Sequence, residues 1–293
     1  MLESILFYVI FISQIVLISY YFPKKIQTRT RYVLDNYPEH TYPKLYPKPI
    51  AAYKKGLRNF MIINHLMAAL GIILIVLYAI LSGDYVSSGN HAAKQKYAEG
   101  LPIFFGICQY VPYLLMEISG LKQFKLMRQA NLSGRRKAEL TPRHLFHFIS
   151  PALVATAFVL YLAFVLFELY LPAFALTEDN VVRIATTTIC NLLLGGIIFW
   201  NIYGKRLDPH QSHQDRIRQI GFTVRSLVYI SMALSLYLVA LKAMEVLAIE
   251  YLEIILNSLY FQLLAAFSIA TMLRILKVED INFDVYKKGA GSH

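Results

Sequence analysis

Seven stretches of about twenty predominantly apolar residues constrain this chain more than any other feature, at approximately 4–22, 60–82, 101–119, 145–170, 183–203, 223–244 and 253–275. A helix needs about 20 such residues to cross a bilayer, because in lipid every backbone N–H and C=O must be satisfied inside the segment itself. The chain is 57% hydrophobic and 16% charged, well above the roughly 45 to 50% apolar content of ordinary soluble domains. These residues predict an all-α, polytopic integral membrane protein, a bundle of seven transmembrane helices forming one domain over residues 1–288. The closing "GAGSH", 289–293, reads as an appended cloning remnant. The third stretch departs most from a plain span, with Pro102, Gly106, Gln109, Pro112 and Glu117 in one short run.

The first stretch has Glu3 before its apolar run and Lys24 and Lys25 after it. A secretory signal peptide has the reverse arrangement, with positive charge in front and a small-residue cleavage site behind, so an uncleaved anchor is expected. Basic residues test the span count independently, because cytoplasmic loops accumulate Lys and Arg. Segments 22–59, 120–144, 204–225 and 274–288 hold 25 of the 29, and the other side of the alternation holds only Lys94, Lys96, Arg183 and Lys242. Removing any one span scrambles this pattern. The expected topology is N-terminus outside and C-terminus cytoplasmic, in an inner (cytoplasmic) membrane of bacterial type. The net charge of +11 then points to the bilayer and its anionic headgroups as partners. No nucleic-acid partner is expected, since the charge is spread over four membrane-bordering segments without a binding motif.

The loop "LDPHQSHQDRIRQIG", 207–221, sets His210 and His213 between Asp208 and Asp215. These four residues are candidates for acid/base or metal chemistry. The competing account is a helix start: Ser212 followed by Asp215 fits the S-x-x-D/E capping pattern, in which the hydroxyl accepts an orphan N–H and the carboxylate reaches back. A helix beginning at His213 leaves His210 outside it, and no third histidine or cysteine completes a zinc set. No metal is expected. A similar Leu-Thr-Pro entry at 140–142 predicts a cap at Thr141 with Pro142 in the first turn of the fourth helix. In 37–49 each Tyr that precedes a Pro is pushed out of the helical region, so that loop is expected to be extended.

Polar residues inside apolar stretches are expensive in lipid and usually face a bundle interior or a wet cavity. His65, Glu117, Asn64, His147, Asn201 and Arg225 all fall toward the cytoplasmic ends of their stretches and are candidates to line a pocket there. Each also has a plain structural reading, as interhelical hydrogen-bonding or snorkelling to phosphates. Thr187, Asn191 and Gly195 share one helical face, as do Ser231 and Ser235, and with Gln262 they read as helix-packing residues. No cofactor is expected, although His65 and His147 provide the two imidazoles that a haem would need. The minimal motifs of zinc proteases, serine hydrolases and P-loop enzymes are absent.

Three functions fit. The leading one is a carrier or channel for a small solute or ligand in a polar pocket open to the cytoplasm, favoured by a third helix that prolines would interrupt. An enzyme acting on a lipid or lipid-linked substrate at the cytoplasmic leaflet is the alternative, with His65 as base and Glu117 orienting it. A non-catalytic membrane partner or sensor is the third.

Overall fold

The computed structural model describes residues 2–85, 91–130, 143–171, 174–204, 207–249 and 252–288, and among the described residues there is no strand. Seven helical rods are long and apolar enough to cross a membrane, as the apolar stretches require. The first joins α1 (Leu2–Val16) to α2 (Phe22–Asn36) through a π turn at Leu17–Tyr21. The next five are α3 (Ile50–Tyr85), α4 (His91–Ala130), α5 (Pro151–Tyr170), α6 (Glu178–Tyr203) and α7 (His213–Val246). The seventh joins α8 (Glu253–Ala265) to α9 (Thr271–Ile275) through a second π turn at Ala266–Ala270.

Three local expectations are corrected. α4 is not interrupted: Pro102 and Pro112 lie inside an unbroken helix, both buried. A buried proline costs its helix one hydrogen bond, and packing by neighbouring helices makes this tolerable inside a membrane. The fourth helix starts at Pro151 rather than near 145, because Ser150 takes an extended conformation and its hydroxyl accepts the Leu153 N–H at 3.3 Å. His144 is extended, Leu145–His147 form a 3-10 turn, and Thr141 and Pro142 lie outside the described residues. In the loop 37–49, Tyr37, Tyr42 and Tyr46 are indeed non-helical before their prolines. The loop nevertheless folds back, through Tyr42 N–H to Pro38 C=O at 3.0 Å and a 3-10 turn at Pro43–Leu45.

The helices pack as two units. Phe7, Phe11 and Ile15 of α1 meet Phe105 of α4 and Ile254 and Ile255 of α8. One layer further on, Ile18, Phe22, Phe60, Met61 and Phe261 continue that core, so the first, second, third and seventh rods form one unit. The second unit is α5, α6 and α7 around Phe148, Ile202, Val224 and Val228, with α7 also packed on α8. Gly106 of α4 lies directly under the Phe261 ring. In the second unit Ser231 donates to Asn191 Oδ1 at 2.7 Å, a helix-to-helix bond between two of the residues read as packing residues.

The first unit is locked by polar side chains in its middle. Gln14 donates from Nε2 to Gln109 Oε1 at 2.9 Å, Gln109 Nε2 donates to Ser19 Oγ at 2.9 Å, and Ser258 donates to Gln14 Oε1. All four residues are buried. A π turn at Leu17–Tyr21 follows Gln14 and contains Ser19, and its wider winding changes the direction in which the later residues of this rod face. Gln262, expected to act as a packing residue, donates to Ile10 C=O at 3.1 Å and Ser13 Oγ at 3.0 Å.

Candidate functional site at the basic end

The loops 37–49 and 207–212 and the C-terminal segment 276–288 converge at one end of the bundle, the end that collects most of the basic residues. Val278, Phe283 and Tyr286 form a small apolar cluster with Val33, Tyr37, Tyr42 and Leu45, which pins the C-terminal segment against α2 and the first loop. The Phe283 ring stacks on Tyr37 at 3.8 Å between centroids, and Arg218 donates to Asp280 C=O at 2.8 Å.

The histidine-aspartate loop is part of this junction. Ser212 caps α7: its hydroxyl accepts the Asp215 N–H at 3.2 Å and donates to Asp215 Oδ2 at 2.6 Å. That same carboxylate oxygen also accepts the Asn282 N–H at 3.2 Å, so the cap carries the C-terminal segment as well as the helix. Asp208 is buried; it accepts the His210 N–H at 2.8 Å on one oxygen and the Tyr286 hydroxyl at 2.5 Å on the other. Burial, then the charge of Asp208, raises the Tyr286 phenol far above its ordinary range. His213 is an exposed residue of the first turn of α7. Of the four loop candidates, Asp208, His210 and Asp215 are therefore brought together, as ties between the loop and the C-terminal segment.

His210 packs edge-on to the Tyr286 ring at 6.2 Å, and its pKa is lowered by burial and by Lys44, against the opposing pull of Asp208. A pKa below the unfolded value of 6.5 means the neutral ring stabilises this docking above that pH, and the contribution is lost as pH falls through the folded value. Protection of residues 278–288 against hydrogen exchange, after allowance for the intrinsic pH dependence of the exchange rate, is expected to fall as the pH drops below 6.5. In His210→Gln the corrected protection should stay level, and a fall as large as the wild type's would refute the assignment.

Two cavities open beside the junction. The smaller, about 270 Å³, lies between α2, α4, the start of α7 and the C-terminal segment, and Arg29, Arg218, Lys277, Asp208 and Asp215 are in its wall. Arg29 Nη1 is buried there with no hydrogen-bond partner. The larger, about 430 Å³, lies between α2, α3 and α4, with Thr30, Lys48 and Asn59 toward one end and Ile63, Leu115 and Met116 toward the other. Gln123 borders both cavities and donates to Leu45 C=O at 3.4 Å between them.

Compared with protein families, with curated proteins and with solved structures, the chain matches none.

The candidates inside the apolar stretches are not brought together. His65 is exposed on α3, with its ring 6.4 Å from that of Tyr20, and Glu117 is exposed on α4. Asn64, next to His65, is fully buried and donates to Phe60 C=O at 2.8 Å. His147 is exposed in the turn before α5, against His144. Asn201 bonds back to Ile197 C=O of its own helix. Arg225 reaches across to Phe148 C=O at 3.0 Å, tying α7 to the turn before α5. Among the described residues no group of three or more His, Cys, Asp or Glu side chains is placed to hold a metal ion. The sequence analysis missed Arg29 and Tyr286. Arg29 is one of nine basic residues in 22–59, and only the fold of the C-terminal segment over it makes it different.

Proposed function

We propose that this multi-pass membrane protein handles a small anionic ligand, a carboxylate or phosphate, in the cavity around Arg29 at its basic end. The observation that carries this reading is the buried Arg29 Nη1, which has no hydrogen-bond partner although the charge of Glu279 is felt at the guanidinium. A buried donor left unsatisfied costs about 1 to 3 kcal/mol, and a guanidinium pairs best with a planar or multi-oxygen anion. Asp208 and Asp215 line the same cavity, but His210 and Tyr286 occupy the two oxygens of Asp208, and Ser212 and Asn282 both bond Oδ2 of Asp215. Arg218 and Lys277 add positive charge. At about 270 Å³ the cavity is just below the 300 to 1,000 Å³ of drug-sized ligand sites, which favours a small ligand.

The basic end is cytoplasmic in this proposal, with the N-terminus outside, because 25 of 29 basic residues border it. A cysteine at Ser87 is then labelled by an impermeant thiol reagent in intact cells and one at Ser133 is not. The unbroken α4 removes the interrupted helix that favoured a carrier, and the buried Gln14, Gln109, Phe11 and Phe105 fill the middle of the first unit.

Thermal unfolding of the purified protein with inorganic phosphate or succinate is the test. A ligand at 100 times its Kd stabilises by about 2.7 kcal/mol, so the wild type should shift and Arg29→Gln should not. Equal shifts in both, or none in the wild type with either anion, would end the proposal. The larger cavity supports a second reading, an amphiphile held at the same leaflet, because its lining runs from polar to apolar. Native mass spectrometry showing a retained acyl lipid that Arg29→Gln leaves in place would favour it.

A further inference from the structure

At the opposite end of the bundle the end of α5, the start of α6 and the end of α7 enclose an open recess of about 380 Å³, lined by Glu168, Thr177, Asn180, Arg183, Lys242 and Glu245 among others. Two of its acceptors are deeply buried and under-used. Glu168 is 2% exposed, and its contact with a cation is Arg183 Nε at 3.9 Å, too long for a hydrogen bond, with the arginine side chain 44% exposed. Asn180 is 4% exposed and its Oδ1 accepts no hydrogen bond. The amide orientation is fixed, because Asn180 Nδ2 donates to Ala175 C=O at 2.8 Å and a flipped amide would set oxygen against oxygen.

We propose that this recess binds a primary ammonium group, with Glu168 as its counter-charge and Asn180 Oδ1 as an acceptor for one of its N–H bonds. A buried carboxylate without hydrogen bonds and a buried amide oxygen without a donor are both costly, and one –NH₃⁺ group with three donors relieves both. The wall sets the carboxylates of Glu168, Asp179 and Glu245 against Arg183 and Lys242, so its charged side chains leave an excess of negative charge, which disfavours an anion. Among the described residues no group of three or more His, Cys, Asp or Glu side chains is placed to hold a metal ion. Lys242 is already held by Glu245 at 2.8 Å on its own helix, so it is not the missing donor. The helix ends act in the same direction. α5 and α7 finish at the recess and present the negative ends of their dipoles, while Glu178 and Asp179 in the first turn of α6 offset its positive end.

The ammonium comes either from a free amine or from the headgroup of an aminophospholipid in the adjoining leaflet. The test uses the full-length protein in phosphatidylcholine nanodiscs, titrated calorimetrically with ethanolamine, tetramethylammonium and Ca²⁺. Ethanolamine should bind and tetramethylammonium, which has no N–H, should not. Glu168→Gln should weaken ethanolamine binding at least tenfold, and Asn180→Ala, which removes the acceptor, should weaken it as well. Equal binding of tetramethylammonium, binding of Ca²⁺ alone, or unchanged binding in Glu168→Gln would overturn the proposal. Should Glu168→Gln fail to fold, the wild-type comparison of the three cations still decides. In nanodiscs containing phosphatidylethanolamine, loss of the ethanolamine signal identifies the headgroup as the source, and an unchanged signal identifies the free amine.

Discussion

Gln109→Leu should destabilise the protein by about 2 kcal/mol, measured as reversible unfolding in detergent or bicelles. The substitution leaves Gln14 Nε2 without its acceptor and Ser19 Oγ without its donor, in a layer where all three side chains are buried. An unsatisfied buried group costs about 1 to 3 kcal/mol in water-soluble proteins, but interhelical bonds within membranes average nearer 0.6 and reach about 1.7. Two stranded groups at intermediate values give the figure. Because Gln14 and Gln109 act on each other, the double Gln14→Leu/Gln109→Leu variant should lose less than the sum of the single losses. Wild-type stability in Gln109→Leu, or strict additivity in the cycle, would show that the layer is not a coupled lock.

Gly106→Ala should cost about 1 to 3 kcal/mol, the usual range for overpacking a well-filled core. A Cβ at this position would overlap the ring of Phe261 close to where the ring joins its own Cβ, so a small rotation of a flexible tip gives no relief. Phe261 is itself buried among Ile18, Phe60 and Met61, and its carbonyl accepts the Tyr110 hydroxyl at 3.0 Å. The ring therefore has nowhere to retreat. Trimming it with Phe261→Leu in the Gly106→Ala background should restore part of the loss, although Phe261→Leu alone is destabilising. Gly56→Ala is the control, since a Cβ there has no neighbour within 4 Å.

The seven spans were legible because length and hydropathy act locally and the bilayer sets a fixed requirement on both. How far the helices extend was less legible. α2, the start of α3, the end of α4 and the start of α7 run well past the apolar stretches at the basic end, where polar helix has no sequence boundary as sharp as the edge of an apolar run. Which face a polar residue presents was not legible at all. Asn64 and His65 are neighbours about 100° apart on one helix, and one is fully buried while the other is exposed. Gln14 went unnoticed for a different reason: its partners Gln109 and Ser258 lie 95 and 244 positions away, and the π turn that follows it is announced by no residue in "LISYY". The capping pattern at Ser212 and Asp215 was readable because it uses only four consecutive residues. Its second role, holding Asn282 N–H across 67 positions, was not.

The lock in the middle of the first unit also sets a timetable for biosynthesis. Gln14 lies in the first of these seven helices, and the hydroxyl that completes its bonding, that of Ser258, follows 244 residues later. At roughly 5 to 20 residues per second, the ribosome takes on the order of 10 to 50 seconds to deliver it. Until the third helix arrives with Gln109, and then the seventh with Ser258, the first helix must hold a glutamine amide with incomplete bonding in or beside lipid. Nascent chains halted before the seventh helix should therefore remain close to the insertion machinery or a membrane chaperone, with release coming only after that helix has been made.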